Sequence, residues 1–146
     1  MLQFQQTATV HRVGSATPAL LHVRTARGWW QRFRGLMLAP PLQTQPVPQA
    51  LLIPRCACVH GFFMRYALDI VYLANDKPAE DSGASQRYRV TRTTTLAPWR
   101  VSFGKRYCAQ SAHCVRRYRS AHTLELPAGS VQALGIQAGD MVEVQA

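Results

Sequence analysis

Three side chains able to hold a soft metal or move a proton stand two residues apart, at Cys56, Cys58 and His60. Successive side chains of an extended chain point to opposite faces, so over residues 56–64 these three share a face with Phe62 and Met64. Two thiols and an imidazole begin a tetrahedral site that His113 or Cys114 would complete. The C-x-C and C-x5-C spacings, the second at Cys108 and Cys114, depart from the paired knuckles of structural zinc sites. The cysteines are therefore expected to be small, inert hydrophobes and no metal is expected, with Cys56, Cys58 and His60 as the alternative set for a metal-dependent enzyme. A Cys108–Cys114 disulfide requires an oxidising compartment. No cofactor is named by these residues.

A second cluster overlaps the first. His60, Met64, Arg65 and Asp69 fall within ten residues, among Phe62, Phe63, Ile70 and Val71. With Arg34 as a charge partner and Trp99 in a covering turn, they outline a pocket for a small polar or anionic ligand. The competing structural reading makes Arg65 and Asp69 a buried pair and satisfies His60 on a backbone carbonyl. Catalytic signatures are missing: no paired carboxylates, no Gly-rich phosphate loop, no nucleophile in a recognised turn. Cys58 and His60 as a nucleophile–base pair would lie about 6–7 Å apart at Cα with no orienting third group. The residues point to a binding or accessory domain rather than an enzyme.

The elements that must position these groups are mainly strands. Period-two alternation with frequent turn residues predicts strands over residues 19–24, 50–53, 59–64, 70–73, 87–93, 100–103, 123–126 and 141–144. In both Leu124-Glu125-Leu126 and Val142-Glu143-Val144 the apolar residues face in and the glutamate faces out. One helix is predicted near 26–37, with Trp29, Trp30, Phe33, Leu36 and Met37 on its packing face and Thr25 as its cap, and a helical turn near 130–134. Together they predict a mainly-β, compact single domain: an antiparallel sandwich or barrel, jelly-roll-like.

The 146 residues carry 17 Lys+Arg against 7 Asp+Glu, a formal charge of +10. The first acid is Asp69, and a second acid-free run extends from Arg87 to Arg119. Interleaved with Tyr88, Trp99, Phe103, Tyr107 and Tyr118, the latter supplies the alternative function, nucleic-acid or polyanion binding, with Lys105, Arg106, Arg116, Arg117 and Arg119 as its candidates. Neither an 18-residue apolar run nor a secretory leader pattern is present, so no membrane span and a cytoplasmic location are expected.

Several blocks carry a resemblance: R-F-R-G-L-M (residues 32–37), C-x-x-x-H-G-F-F-M-R (56–65) followed by L-D-I-V-Y-L (68–73), L-A-P-W-R (96–100), L-E-L-P-A-G (124–129) and L-G-I-x-x-G-D (134–140). In this order, over about residues 20–144, they resemble the domain of unknown function 192 family. The resemblance implies a small mainly-β barrel or jelly-roll and no known activity, because the family is named for lacking one. Residues 103–122 depart from its pattern as a basic insertion.

Overall fold

The computed structural model describes residues 5–76, 85–104, 106–111, 114–119 and 121–145, with the backbone alone across 106–111 and 114–119. In chain order the elements are β1 (Gln6–His11), β2 (Ala19–Thr25), α1 (Trp29–Arg34), β3 (Gln49–Ile53), β4 (Cys58–His60), β5 (Leu68–Asn75), β6 (Ser85–Leu96), β7 (Val101–Phe103), β8 (Arg106–Ser111), β9 (Cys114–Arg119), β10 (His122–Pro127), α2 (Ser130–Leu134) and β11 (Met141–Gln145).

Seven strands close into a barrel in the order β1-β11-β6-β5-β10-β3-β2. The fold is thus mainly β, as the alternation implied, and closure makes it a barrel rather than a two-sheet jelly-roll. One pairing departs from the antiparallel expectation: β2 and β3 run parallel, His22 opposite Gln49 and Thr25 opposite Leu52. The long connection through α1 and the proline-rich segment 40–48 makes this possible, since parallel neighbours cannot be joined by a tight turn.

The barrel has two apolar layers. Inside lie Ala8, Val10, Leu21, Val23, Leu52, Val71, Leu73, Val90, Leu124, Leu126, Val142 and Val144. Outside the neighbouring strands β5, β10 and β3 lies a second cluster of Leu51, Ile53, Leu68, Ile70 and Tyr72, covered by Ala26, Leu36, Leu42, Val59, Met64 and Leu96. These strands bury both faces and so read as near-continuous apolar runs. The small β4–β7 sheet belongs to this cover, tied down where Tyr72 Oη donates to Ser102 Oγ at 2.8 Å.

Several local expectations are corrected. The predicted strand over 59–64 is extended only at Cys58–His60, because Gly61 turns the chain against residues 97–100. Gly61 N–H donates to the Arg100 carbonyl and Gly61 O accepts from Trp99 N–H, at 2.7 and 2.8 Å. A Cβ on residue 61 would lie 2.7 Å from the Ala97 carbonyl oxygen, so only glycine permits this approach. α1 is shorter than predicted and buries none of its residues. Thr25 does not cap it but donates to Gln6 Oε1; Gln31 Oε1 instead accepts from the Gly28 and Arg27 N–H groups. β1 and the hairpin β8–β9 were not foreseen. Its register places Cys108 opposite Arg117 and Cys114 opposite Ser111, three rungs apart. The Cys108 and Cys114 side chains, and with them the disulfide considered for this pair, lie outside the described residues.

Asp69 has a structural task. Its Oδ1 accepts from Thr95 Oγ1 at 3.0 Å and its Oδ2 from the Val131 N–H at 2.9 Å, serving α2, which has no side-chain cap of its own. The predicted Arg65–Asp69 pair does not form: Arg65 is exposed and Asp69 is buried. Asp69→Ala leaves two donors unmet and should cost about 2 kcal/mol in urea unfolding. An unchanged midpoint would show that solvent replaces both bonds.

Candidate ligand-binding cleft

Glu125 is the centre of the site, and the sequence reading placed it in solvent. It lies on β10 between Leu124 and Leu126, which enter the barrel, so its side chain leaves on the outer face as the alternation requires. That face is covered. Glu125 is only 5% exposed, and its ladder neighbours are the apolar Leu51 of β3 and Ile70 of β5. Its Oε2 has no hydrogen-bond partner among the described residues. Burial pushes the carboxyl from 4.5 up to about 7, because a low-dielectric surround penalises the charged form.

Above this carboxyl opens a cleft of about 270 Å³. Trp29, Arg32, Phe33 and Arg34 of α1 form one wall, continued by Gly35, Leu36 and Met37; Cys56, Cys58, Val59 and His60 form the other. Ile53, Met64, Leu68 and Glu125 complete the lining. Gly35 lets the backbone pass over the carboxyl. Its φ of 49° and ψ of −125° suit glycine alone, and a Cβ there would stand 3.7 Å from Glu125 Oε2.

His60 meets the cleft from the end of β4. Its ring stacks on Phe62 at 5.0 Å and stands edge-on to Phe33 at 6.4 Å, and its buried Nδ1 has no partner among the described residues. The anticipated backbone carbonyl does not satisfy that nitrogen. Cys56 donates its S–H to the Cys58 carbonyl at 2.9 Å, and burial pushes its thiol pKa up, which disfavours the thiolate needed by a nucleophile or metal ligand. Cys56, Cys58 and His60 line the same cleft, yet no three His, Cys, Asp or Glu side chains among the described residues are grouped so as to hold a metal ion.

The adjoining turn is anchored to the barrel. Arg55 N–H donates to His122 Nδ1 at 3.1 Å, Thr123 Oγ1 donates to the Cys56 carbonyl at 2.7 Å, and His122 Nε2 lies 2.9 Å from Asn75 Oδ1. The Arg55 bond makes Nδ1 the acceptor, so Nε2 carries the proton. Burial, with the Arg55 charge nearby, lowers the His122 pKa.

Of the six predicted ligand-site residues, His60, Met64 and Arg34 line the cleft, whereas Arg65, Asp69 and Trp99 do not. Trp99 is 60% exposed and packs on Phe62 and Phe63 instead of roofing the cleft. Glu125, Arg32, Trp29 and Phe33 were missed as site residues. The signal for Glu125 was the unbroken apolar run of β5, whose two buried faces imply a covered outer layer over its neighbour.

The basic run is less free than its composition suggested. Arg87 approaches Glu143 at 3.6 Å, Arg89 pairs with Asp76 at 2.8 Å, and Arg92 donates to the Phe103 carbonyl. Lys105 and the side chains of Arg106, Arg116, Arg117 and Arg119 lie outside the described residues, as does His113. No helix among the described residues is long and apolar enough to cross a membrane.

Known proteins share this fold and sequence pattern. An uncharacterised UPF0127 protein of Pyrococcus furiosus is 30% identical over 84% of this chain and 86% of its own length. A second, from Pyrococcus horikoshii, is 26% identical over 83% and 85%. The crystal structure of a protein of unknown function from Novosphingobium aromaticivorans superposes with a TM-score of 0.64, covering 93% of this chain and 82% of that one at 20% identity, which shows the fold alone. The family model described as "Uncharacterized ACR" matches residues 9–144, and the chain therefore belongs to the DUF192 family.

Proposed function

We propose that this protein is a non-catalytic binding module that takes a small polar ligand into the cleft over Glu125. The carrying observation is the buried carboxyl whose Oε2 has no partner at the cleft floor. Buried polar groups are nearly always satisfied, so an orphan in a cleft is an acceptor or donor waiting for a ligand. The protonated acid offers one O–H donor and one acceptor, the His60 Nδ1 adds a second polar contact, and Trp29 and Phe33 supply apolar walls. Arg32 and Arg34 beside the opening favour a ligand carrying negative charge away from the Glu125 end. We place the binding in the cytoplasm, where the free thiols of Cys56 and Cys58 stay reduced.

The test separates a ligand group from a structural one. Leu at residue 125 keeps the volume and removes the unmet polar atom, so Glu125→Leu should raise stability by about 1–3 kcal/mol. Native mass spectrometry of the purified full chain should show a small bound molecule on the wild type and none on the variant. Destabilisation by Glu125→Leu, with any bound mass retained, would make the carboxyl structural.

Titration gives a second check. The folded pKa of Glu125 lies above its unfolded value, so the folded state binds the extra proton and ionisation opposes folding. Its favourable contribution is intact below about pH 4.5, declines as pH rises towards 7, and is gone above that. Relative to Glu125→Gln, wild-type stability should fall by about 3 kcal/mol across this window. The variant serves as reference because His122, with its lowered pKa, works in the opposite sense. Parallel pH profiles for the two proteins would contradict the assignment.

A further inference from the structure

We infer that the exposed rings running from α1 to the turn at residues 97–100 form a stacking strip for single-stranded nucleic acid, a surface that meets the cleft at Phe33, Arg34 and His60 and extends beyond it. The rings form one unbroken series. Trp30 stacks on Phe33 at 5.7 Å, Phe33 meets His60 at 6.4 Å, His60 stacks on Phe62 at 5.0 Å, and Phe62 and then Phe63 meet Trp99 at 6.3 and 5.1 Å. Trp30 and Trp99 are both 60% exposed, and Phe33, Phe62 and Phe63 are also open to solvent. Aromatic surface of this extent on a folded barrel lies outside both apolar cores.

Two of these rings stand on backbone that resists them. Phe63 and Trp99 have φ of 60° and 63°, a region bulky side chains seldom occupy, and the Gly61 clamp holds both turns there. The fold thus fixes ring orientation outward instead of burying the rings.

Charge selects the partner. Arg34, Arg65 and Arg100 flank the rings, are exposed, and form no ion pair with a described carboxylate. Of the five described acids, Asp69, Glu125 and Asp140 are buried, and Asp76 and Glu143 are engaged by Arg89 and Arg87. An aromatic face with cations, and with no exposed acid beside it among the described residues, suits a polyanion that also has planar faces. Single-stranded nucleic acid offers both, because every base has a π-face and guanidinium groups pair with phosphates and stack on rings. An anionic lipid surface would use the charge but not the fixed ring planes.

The test uses the full chain and a fluorescein-labelled oligothymidylate of about 15 nucleotides, a length within the range of known single-strand sites. Anisotropy at low salt should report binding, with quenching of tryptophan fluorescence, and log affinity should fall against log salt with a slope of about −2 for three phosphates contacted. Trp99→Gly and Phe63→Gly remove a ring at positions where glycine relaxes the backbone, so the barrel should keep its circular dichroism and thermal midpoint. Each should weaken binding about fivefold or more, the effect of losing one stacked base. Undiminished binding by both variants would overturn the strip, as would equal displacement by heparin without quenching. Vesicles of phosphatidylglycerol that bind the wild type while the oligonucleotide does not would also overturn it, in favour of a membrane surface.

Discussion

Double-sided burial of β5, β10 and β3 is the constraint on which the cleft depends. A barrel strand normally gives one face to the core and the other to water. Here the outer face of three adjacent strands is apolar at Leu51, Ile53, Leu68, Ile70 and Tyr72, and must itself be covered. The chain covers it with the connection between β2 and β3 and with the β4–β7 sheet. Each fully buried aliphatic or aromatic side chain contributes about 1.5–3 kcal/mol, so such a layer can hold irregular backbone in place. Glu125 is an ionisable side chain at the centre of that layer, and it sets the chemistry of the cleft.

The cover is assembled by backbone contacts at two glycines rather than by long elements. Gly61 brings the β4 end against residues 97–100, and Gly35 brings the end of α1 over Glu125. Around them Leu38, Arg55, Phe63 and Trp99 all hold positive φ. Conformations of this kind each cost about 1–3 kcal/mol and persist only where surrounding structure determines them. Their common placement in the cover, and none in the barrel strands, separates a regular scaffold from a strained face that holds the cleft.

Much of the scaffold was legible because period-two alternation reports burial directly. Leu124 with Leu126 and Val142 with Val144 do enter the barrel. Alternation reports only which residues share a face, though, and not what lies over the opposite one. Glu125 and Glu143 occupy the same pattern. Glu143 faces Arg87 and water at an uncovered position, and Glu125 lies under the second layer. Local composition could not separate them, because the cover comes from Ala26, Leu36, Leu42, Val59, Met64 and Leu96, distant in sequence from Glu125. The helix forms within the predicted span, but its packing face was misjudged for the opposite reason. Trp29, Trp30 and Phe33 have helical spacing, which predicts a packing face, but the six-residue α1 buries none of its residues; Leu36, beyond its end, joins the outer apolar layer and the rings stay exposed. The extended reading of residues 59–64 missed Gly61, whose close approach to Ala97 involves a partner nearly forty positions away.

His60 joins the two faces of the cover. Its ring is packed between Phe33 and Phe62 within the exposed series, while its Nδ1 is buried at the cleft. Reorienting the ring to favour a hydrogen bond in the cleft must change the edge contact with Phe33, the stack on Phe62, or both. Phe33 also lines the cleft, so α1 cannot accommodate a bulky occupant without shifting a ring of the outer series. Packed aromatic contacts of this type are each worth about 0.5–1.5 kcal/mol beyond their burial, comparable to a net hydrogen bond. The ring's position is therefore set jointly by the cleft and the surface, and neither can be altered at His60 without a cost registered in the other.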